Sequence, residues 1–552
     1  MRAAVRTIPD ALRAPMTPSA HLDPFAREHL PPRDLWPDLL RGEGTAFDYP
    51  ERLNSAAVLL DAHVEAGRGA RTLLHTEAGP WTYRDVQDRA DRIAHVLTRE
   101  MGLVPGNRVL LHTPNTPLAA AAWLGIVKAG GIVVATMPLV RAHELTYTIE
   151  KAQVSHAFVH TSVTEALDLA RTRTDRLQHV LGFGDGGELN ARMAAYDAPF
   201  EAVDTAADDP VLIAFTSGTT GLAKATVHAH RDVLAICDAF PQACLAATPS
   251  DVFTGSPPLA FTFGLGALLL FPMRIGASAA FPTAPGVDGL LGAIARHGCT
   301  VCATSPTAYR AMLPKLDAHD VSSLRACVSA GEALPAATSD AWHAATGLRL
   351  IDGIGSTEML HIFVSAPADA QRPGATGRPL PGYEARVVDE AGQEVPVGTV
   401  GLLAVRGPTG CRYLDDEDRQ RTYVRDGWNY PGDAYLVDAD GYFHYQSRAD
   451  DMIITGGYNV SGLQVENVLL THDAVAECGV VGVPDAHRGQ IVKAFVVLRE
   501  GHAASDDLAA ALQDFVKAEI APYKYPRAVA FLDALPRTAT GKLQRFRLRD
   551  DA

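Results

Sequence analysis

Short apolar runs alternate with helix-type spacing of apolar positions from about residue 80 onward. The segments Arg108 to His112, Ile132 to Ala135 and Ala157 to His160 are strand-like. Between them, Thr116 to Lys128 and His143 to Ala152 have the length and pattern of helices. This alternation predicts an α/β architecture whose mainly parallel sheet is buried on both faces.

The pattern continues with a buried strand at Pro210 to Phe215, which ends abruptly in a segment rich in Ser, Thr and Gly. The next helix is expected to begin near His230. The last hundred residues predict a separate small α/β unit, with helices at Leu463 to Leu470 and Asp506 to Glu519 and strands at Cys478 to Val483, Ile491 to Leu498 and Ala528 to Leu532.

A polar, charged junction from Gln446 to Asp451 separates the two parts of the chain. We therefore predict a large N-terminal domain of stacked α/β subdomains at 21–447, a hinge at 448–451 and a small, mobile α/β C-terminal domain at 452–552. Residues 1–20 are predicted to form a disordered arm.

Length and composition exclude some classes of binding partner. The 552 residues are too many for one compact core, which supports more than one folded unit. The net charge, 49 − 64 = −15, repels a phosphate backbone and argues against nucleic acid. The most apolar stretch, Leu118 to Ala135, contains Lys128 and a Gly pair, so no membrane span is predicted. The first fifteen residues lack the apolar core of a secretory signal.

The seven cysteines, an odd number, do not suggest a disulfide framework. The closest pair, Cys299 and Cys302, could bind metal or carry out redox chemistry, but no second pair or His cluster completes such a site. We expect two buried thiols around a short apolar strand. Reduced thiols throughout predict a cytoplasmic protein.

A loop with the sequence TSGTTGLAK runs from Thr216 to Lys224. Its glycines would let the backbone approach a phosphate chain, its hydroxyls could donate to phosphate oxygens, and Lys224 adds a cation. The spacing does not match a Walker A loop. Taken alone, the segment could equally be an ordinary surface loop.

Four further positions carry charge in glycine-rich or turn-like surroundings. Glu358 follows Gly-Ile-Gly-Ser-Thr, as a carboxylate that holds Mg²⁺ beside a triphosphate would need. Asp433 follows Tyr-Pro-Gly and could accept from both hydroxyls of a ribose. Arg448 lies in Ser-Arg-Ala-Asp-Asp, and Lys542 ends Pro-Arg-Thr-Ala-Thr-Gly-Lys. Singly, each could be no more than a surface charge beside a turn.

In this order and spacing, the five motifs resemble those of the adenylate-forming superfamily, which includes acyl-CoA synthetases, nonribosomal adenylation domains and beetle luciferases. The resemblance covers nearly the whole chain, from about residue 45 to about residue 550. It implies ATP and CoA as co-substrates, Mg²⁺ as the ion and no prosthetic group.

The resemblance also implies a role for each matching position. Lys542 looks like the catalytic lysine of the first half-reaction, supported by Glu358 as the Mg²⁺ ligand and by Thr219 and Lys224. The implied nucleotide contacts are Thr216, Ser217, Gly218, Thr219, Thr220, Gly221 and Lys224 in the phosphate loop, Gly331, Glu332, Ala333, Asp352, Gly353, Ile354, Ser356 and Thr357 around the adenine, and Asp433 and Arg448 at the ribose.

Two positions match the moving parts of the superfamily. Asp450 resembles the hinge about which the small domain swings, and Gly457 resembles the glycine beside which the arm of the thiol donor passes. The acyl pocket is expected to contain Phe261, Phe263, Gly264, Ser329 and Gly355. Two phenylalanines beside glycines suit a flat ring, although either could equally be an ordinary core residue.

Some positions depart from the common pattern without removing its charged groups. Ala223 and Ala225 flank Lys224 where the family has Pro and Gly, Ile354 stands where an aromatic is frequent, and Pro431 replaces a threonine. The mechanism implied by the resemblance needs no histidine base. His228 and His230 are therefore expected to pack or to hydrogen-bond a loop.

The subfamily follows from longer stretches. Asp352 to Phe363 resembles the benzoate–CoA ligase branch, and Lys224 to His230, with His29 to Arg33 and Tyr49 to Asn54, is most similar to 2-aminobenzoate–CoA ligases. We expect an AMP-forming ligase that converts an aromatic carboxylic acid of the 2-aminobenzoate or benzoate type to its CoA thioester.

Two alternatives stay open on the sequence. One is a stand-alone adenylation enzyme that loads the acid onto a carrier protein. The other is a nucleotide-binding protein without catalysis, against which Lys542, Glu358 and Asp433 argue. The sequence leaves open whether the chain forms a homodimer.

Overall fold

A computed structural model describes residues 17–216, 223–455, 458–485, 488–537 and 543–550. Within these ranges the chain forms four sheets with helices between and around them. The predicted α/β class is confirmed. Three sheets are built from residues up to Arg448, and the fourth is built from Ile453 onward.

The first sheet is parallel except at one edge. In spatial order its strands are His179–Phe183, His156–His160, Arg108–His112, Ile132–Thr136, Pro210–Thr216 and Lys224–Ala229. The last strand pairs antiparallel with Pro210–Thr216 and was not predicted from the sequence.

The second sheet has a parallel centre and antiparallel edges. Its strands, in spatial order, are Arg378–Pro379, Ile362–Ser365, Leu350–Gly355, Ala326–Ala330, Val301–Thr304, Val252–Gly255, Ser278–Ala280, Thr72–His75 and Trp81–Thr82. Cys299 and Cys302 are both fully buried around the strand Val301–Thr304, as predicted.

The third sheet is antiparallel, and its strands are Val424–Arg425, Trp428–Asn429, Gly401–Arg406, Asp433–Val437 and Phe443–Arg448, with Glu384–Val388 beside Gly401–Arg406. The fourth sheet forms the small unit, with strands Tyr458–Val460, Ile453–Thr455, Gly489–Leu498 and Val475–Asp485, and Ala528–Phe531 parallel to Gly489–Leu498.

The α-helices of the described residues are Phe25–Glu28, Tyr83–His95, Pro117–Lys128, Ala142–Lys151, Thr164–Arg171, Leu189–Met193, His230–Phe240, Thr262–Leu265, Phe271–Ile275, Gly286–His297, Pro306–Met312, Ala336–Thr346, Glu417–Tyr423, Gly462–Leu469, Asp506–Glu519 and Arg545–Asp550. No helix in this part of the chain is long and apolar enough to cross a membrane.

Local sequence signals explain where the central helices begin. Thr116 caps Pro117–Lys128 by accepting a hydrogen bond from the Ala119 backbone N–H at 3.1 Å, and proline occupies the first helical position. Apolar side chains of this helix join those of the first and second sheets in one core cluster. The two large α/β layers therefore share a core, and their strand ends are held in a fixed relation.

Part of the predicted disordered arm is ordered. The Ser19 hydroxyl and the Ala20 backbone N–H both donate to the Asp209 carboxylate, the latter at 3.0 Å. Residues 17–20, assigned from the sequence to a disordered arm, are thus fixed to the body of the protein.

Candidate active site

The two ends of the predicted phosphate loop, Thr216 and Lys224, lie on paired strands. Thr216 and Lys224 are opposite each other in the antiparallel ladder between Pro210–Thr216 and Lys224–Ala229. The ladder therefore holds these two residues side by side. The rest of the loop, with Ser217, Gly218, Thr219, Thr220 and Gly221, lies outside the described residues.

A distant segment of the chain lies along the other side of this strand pair, the phosphate hairpin. The Val227 N–H donates to the Arg412 carbonyl, and the Leu414 N–H donates to the Ala225 carbonyl, both at 2.9 Å. These bonds place Tyr413 opposite Thr226 in a short antiparallel bridge. The buried Tyr413 hydroxyl then donates to Glu358 Oε1 at 2.7 Å.

Glu358 lies just beyond the strand Leu350–Gly355 and is 7% exposed. The carbonyl of Thr357, the preceding residue, accepts a hydrogen bond at 2.8 Å from His228 Nε2. Because a carbonyl cannot donate, that nitrogen carries the proton. Tyr413 and His228 together attach the predicted Mg²⁺ ligand to the phosphate hairpin.

Both histidines singled out from the sequence are neutral and structural. Burial lowers the pKa of His228 to about 4 and the pKa of His230 to about 3. His230 Nδ1 accepts from the Ser55 backbone N–H at 3.1 Å. Neither ring is arranged as a base, in agreement with the predicted roles in packing and loop hydrogen bonding.

The predicted adenine segments lie on adjacent parallel strands. Ser329 is in register with Asp352, and Ala330 is in register with Gly353. Burial raises the pKa of Asp352 to about 8. Gly331 follows with φ of +88°, a left-handed conformation that glycine adopts without strain.

The residues beyond Gly331 turn toward a neighbouring helix. Glu332 Oε2 accepts from the Thr307 hydroxyl at 2.7 Å, at the first turn of the helix Pro306–Met312. Ala333 is partly buried beside it. Ile354, on the strand Leu350–Gly355, and Ser356, just beyond it, are also partly buried. The Ser356 hydroxyl lies 3.3 Å from the Tyr423 hydroxyl.

The predicted acyl-pocket residues come from three segments. Phe261 and Phe263 are partly buried at the helix Thr262–Leu265. A Cβ on Gly264 would lie 2.1 Å from the Pro258 carbonyl oxygen, so packing alone requires glycine there. A Cβ on Gly355 would lie 2.7 Å from the His361 carbonyl carbon. Both glycines allow close backbone approach.

The predicted ribose ligands form a cross-strand pair. Asp433 and Arg448 are opposite each other, and Arg448 Nη1 donates to Asp433 Oδ1 at 3.2 Å. A second bond from Arg448 Nη1 reaches the Pro431 carbonyl at 2.8 Å. Gly432 has φ of +84°, and a Cβ there would lie 2.7 Å from Arg448 Nη2. The glycine therefore lets the arginine cross the turn that presents Asp433.

Asp450, the predicted hinge, lies in the short 3-10 turn Ala449–Asp451 directly after the third sheet. Gly457 and Lys542 lie outside the described residues. One ion pair joins the small unit to the rest of the chain. Glu477 of the fourth sheet pairs with Arg310 at 3.3 Å and with Arg537 at 2.7 Å.

A separate cleft of about 770 Å³ has a different character. Its lining includes Lys128, which is 1% exposed and pairs with Asp61 at 2.9 Å and with Asp91. Lys128 is thus neutralised by two carboxylates. None of the predicted site residues is among the residues that line this cleft.

Sequence reasoning missed Tyr413, Arg310 and Glu477. Tyr413 is 55 residues from Glu358, and nothing in the Gly-Cys-Arg-Tyr segment around it marks a functional tyrosine. Its role follows only from the way the chain folds back onto the hairpin.

Comparison with known proteins gives matches over most of the chain. The profile of the AMP-binding enzyme family matches residues 60–412, and that of the AMP-binding enzyme C-terminal domain matches residues 464–542. The benzoate–CoA ligase of Thauera aromatica is 36% identical over 511 residues, covering 91% of this chain and 97% of that protein. A 3-hydroxybenzoate/4-hydroxybenzoate–CoA ligase of the same organism is 31% identical, with the same two coverages of 91% and 97%.

Solved structures match over similar lengths. The anthranilate–CoA ligase AuaEII, solved in complex with anthranoyl-AMP, superposes with a TM-score of 0.87 at 35% identity, covering 91% of this chain and 98% of that chain. A benzoate–CoA ligase from Burkholderia xenovorans LB400 superposes with a TM-score of 0.82 at 35% identity, covering 90% and 100%.

Proposed function

The chain belongs to the AMP-binding enzyme family, and from this premise we propose that it is an ATP-dependent ligase that joins an aromatic carboxylic acid to CoA. The observation that carries the proposal is the attachment of Glu358 to the hairpin that ends in Thr216 and Lys224. The fold thereby brings together two groups suited to a triphosphate from separate parts of the chain. One is the carboxylate of Glu358, and the other is Lys224 at the end of a hydroxyl-rich segment. The whole-length similarity to aryl–CoA ligases supports the same conclusion.

In the first half-reaction, a carboxylate oxygen of the acid attacks the α-phosphorus of ATP, and pyrophosphate leaves. Lys224 and the hydroxyls of the phosphate loop bind the phosphates, while Asp433 accepts from the ribose hydroxyls. Lys542 neutralises negative charge between the carboxylate and the α-phosphate. Catalysis rests on positioning and electrostatic stabilisation, and no covalent bond to the enzyme forms.

Glu358 fits the predicted Mg²⁺. It is a hard oxygen ligand, Tyr413 holds one of its carboxylate oxygens, and the described residues provide no hydrogen-bond donor to the other. When bound, Mg²⁺ offsets the negative charge of the triphosphate.

In the second half-reaction, the sulfur of CoA attacks the acyl carbon of the acyl adenylate, and AMP leaves. We propose that the small domain, residues 452–552, rotates at Asp450 within the hinge 448–451. This rotation withdraws Lys542 from the domain formed by residues 21–447 and brings Gly457 to the site. The restriction of the first three sheets to residues up to Arg448 supports these boundaries.

We also propose a cytoplasmic location. The seven cysteines of the chain are free and buried, which suits a reducing compartment.

Pyrophosphate release and thioester formation, measured with and without CoA, test the proposed function. The acids are 2-aminobenzoate, benzoate, acetate and octanoate under one set of conditions. The aromatic acids should have the highest kcat/KM. A ring buries several carbon groups that acetate lacks, and each buried group contributes about 0.8 kcal/mol to binding. Octanoate ahead of both aromatic acids would contradict the aryl pocket. Pyrophosphate release without thioester, when CoA is present, would favour loading of a carrier protein.

A further inference from the structure

His361 is a buried polar side chain within an aromatic cage. The residue is 2% exposed. Its ring centroid lies 4.5 Å from that of Phe271, and 5.7 Å from those of both Phe240 and Phe263. A Cβ on Gly266 would lie 2.5 Å from His361 Cδ2, so the chain has glycine where the imidazole needs space.

Among the described residues no hydrogen bond of good geometry reaches either ring nitrogen of His361, and the backbone of Phe263 makes only a weak contact with the ring. Burial lowers the pKa of His361 to about 3, and the nearby Phe263 carbonyl opposes this effect only in part. The imidazole is therefore neutral, with one nitrogen that can donate and one that can accept. A buried polar atom without a good partner destabilises the protein and calls for an explanation, such as a ligand group that binds there.

The imidazole lies against residues assigned to the acyl pocket. Its ring neighbours that of Phe263 on one side, and the His361 backbone closes on Gly355, where a Cβ would lie 2.7 Å from the carbonyl carbon. Phe240 and Phe271 belong to the continuous core on the other side. An aromatic acid held beside Phe263 and Gly355 would therefore meet His361 with its ring or with a ring substituent.

We propose that His361 is a specificity-determining residue that accepts a hydrogen bond from an amino group ortho to the carboxylate of the acid. This inference rests on the proposed function and specifies its substrate as 2-aminobenzoate. The acceptor is the nitrogen of the neutral imidazole that carries no proton.

An ortho amino group differs from ortho groups of similar size in the number of hydrogens that it can donate. An ortho methyl group has nearly the same size but no hydrogen to donate. An ortho hydroxyl has one hydrogen, which the neighbouring carboxylate of the acid itself accepts. An ortho amino group has two, so one N–H can bond the carboxylate while the other reaches the imidazole. A site with a buried acceptor rejects analogues that leave that acceptor unpaired.

The first test needs no variant of the enzyme. We measure kcat/KM of pyrophosphate release for 2-aminobenzoate, 2-methylbenzoate, 2-hydroxybenzoate and benzoate. The kcat/KM for 2-aminobenzoate should exceed those for 2-methylbenzoate and 2-hydroxybenzoate by roughly ten- to a hundredfold. Equal values for 2-aminobenzoate and 2-methylbenzoate would overturn the assignment of the acceptor.

The second test replaces the acceptor and keeps an aromatic ring. In His361→Phe, the ratio of kcat/KM for 2-aminobenzoate to that for 2-methylbenzoate should fall to about one, while benzoate is still adenylated. Phe271→Leu is the matched control, because it loosens the same cage and leaves the acceptor in place. It should preserve the ratio. An unchanged ratio in His361→Phe, or the same loss in Phe271→Leu, would overturn the proposal.

These outcomes are distinguishable from failure of the proposed function. If the unaltered enzyme adenylates no aromatic acid, the ligase proposal itself is wrong, and the role of His361 falls with it. If it adenylates benzoate and 2-methylbenzoate as readily as 2-aminobenzoate, the ligase proposal stands and only the role of His361 is refuted.

Discussion

Replacement of Tyr413 by phenylalanine tests whether this tyrosine positions the predicted Mg²⁺ ligand. The Tyr413 hydroxyl, on a side chain 1% exposed, donates to Glu358 Oε1 at 2.7 Å. Tyr413→Phe removes one oxygen atom and keeps the ring that packs against Tyr423 at a centroid distance of 5.7 Å. The carboxylate of Glu358 loses its described anchor to the phosphate hairpin.

The size of the effect follows from the kind of bond removed. A hydrogen bond to a charged group contributes about 1.5–3 kcal/mol. If that energy positions Glu358 for the transition state, kcat/KM for MgATP should fall by about ten- to a hundredfold. The Mg²⁺ concentration needed for half-maximal activity should also rise, because a freely rotating carboxylate holds the ion less well.

Pyrophosphate release, measured while ATP and Mg²⁺ are varied independently, provides the assay. Tyr309→Phe is the matched control: the Tyr309 hydroxyl is also buried, but it donates to the carbonyls of Cys302 at 2.9 Å and Val328 at 3.1 Å. Both variants should lower Tm, and only Tyr413→Phe should lower kcat/KM. A value of kcat/KM for MgATP within twofold of the unaltered enzyme would refute the positioning role.

Three further changes separate chemistry, stability and domain arrangement. Lys542→Ala should abolish acyl-AMP formation and largely spare thioester formation from supplied acyl-AMP; equal loss of both half-reactions would refute its predicted role. Burial alone would raise the pKa of Asp232, but its buried partner Arg412 and a second arginine lower it to about 2. The lowered pKa contributes about 2 kcal/mol to the free energy of unfolding. This contribution is fully present at pH values above the ordinary pKa of an aspartate, and it is lost as the pH falls through about 2. Asp232→Asn should cost about 3–5 kcal/mol at neutral pH, measured by urea unfolding, and a loss below 1 kcal/mol would contradict a buried ion pair. Glu477→Gln breaks partly exposed ion pairs, including the one to Arg310, each worth about 0.2–1 kcal/mol. If the pair with Arg310 forms in only one of the two domain arrangements, one half-reaction should slow about two- to fivefold while the other keeps its rate; equal slowing of both would exclude a role specific to one arrangement.

Several elements could be predicted from local sequence. The strand Arg108–His112 and the helix Asp506–Glu519 have the predicted bounds, and Pro117–Lys128 begins directly after the predicted Thr116. Apolar periodicity, capping residues and chain length determine such elements, because the interactions that form them involve residues a few positions apart. The motifs with charged residues were likewise visible, because each lies within one short segment.

The strand Lys224–Ala229 shows where local reasoning was insufficient. Its sequence, Lys-Ala-Thr-Val-His-Ala, follows the Gly-rich loop, and we predicted no regular structure before His230. The segment forms a strand because Pro210–Thr216 pairs with it on one side and residues near Tyr413 bond it on the other. Pairing of this kind depends on which distant segment arrives alongside, and a short window of sequence does not contain that information.

The sequence by itself determined the α/β class, the likeness to adenylate-forming enzymes and the segments that carry the charged groups. Only the tertiary structure decided which side chains lie beside them: Tyr413 on Glu358, His228 on the carbonyl of Thr357, and the buried His361 beside Phe263. The physical reason is that hydrogen bonds and ring contacts depend on distances of a few ångströms in space. Residues separated by tens of positions reach such distances only when the whole chain has folded.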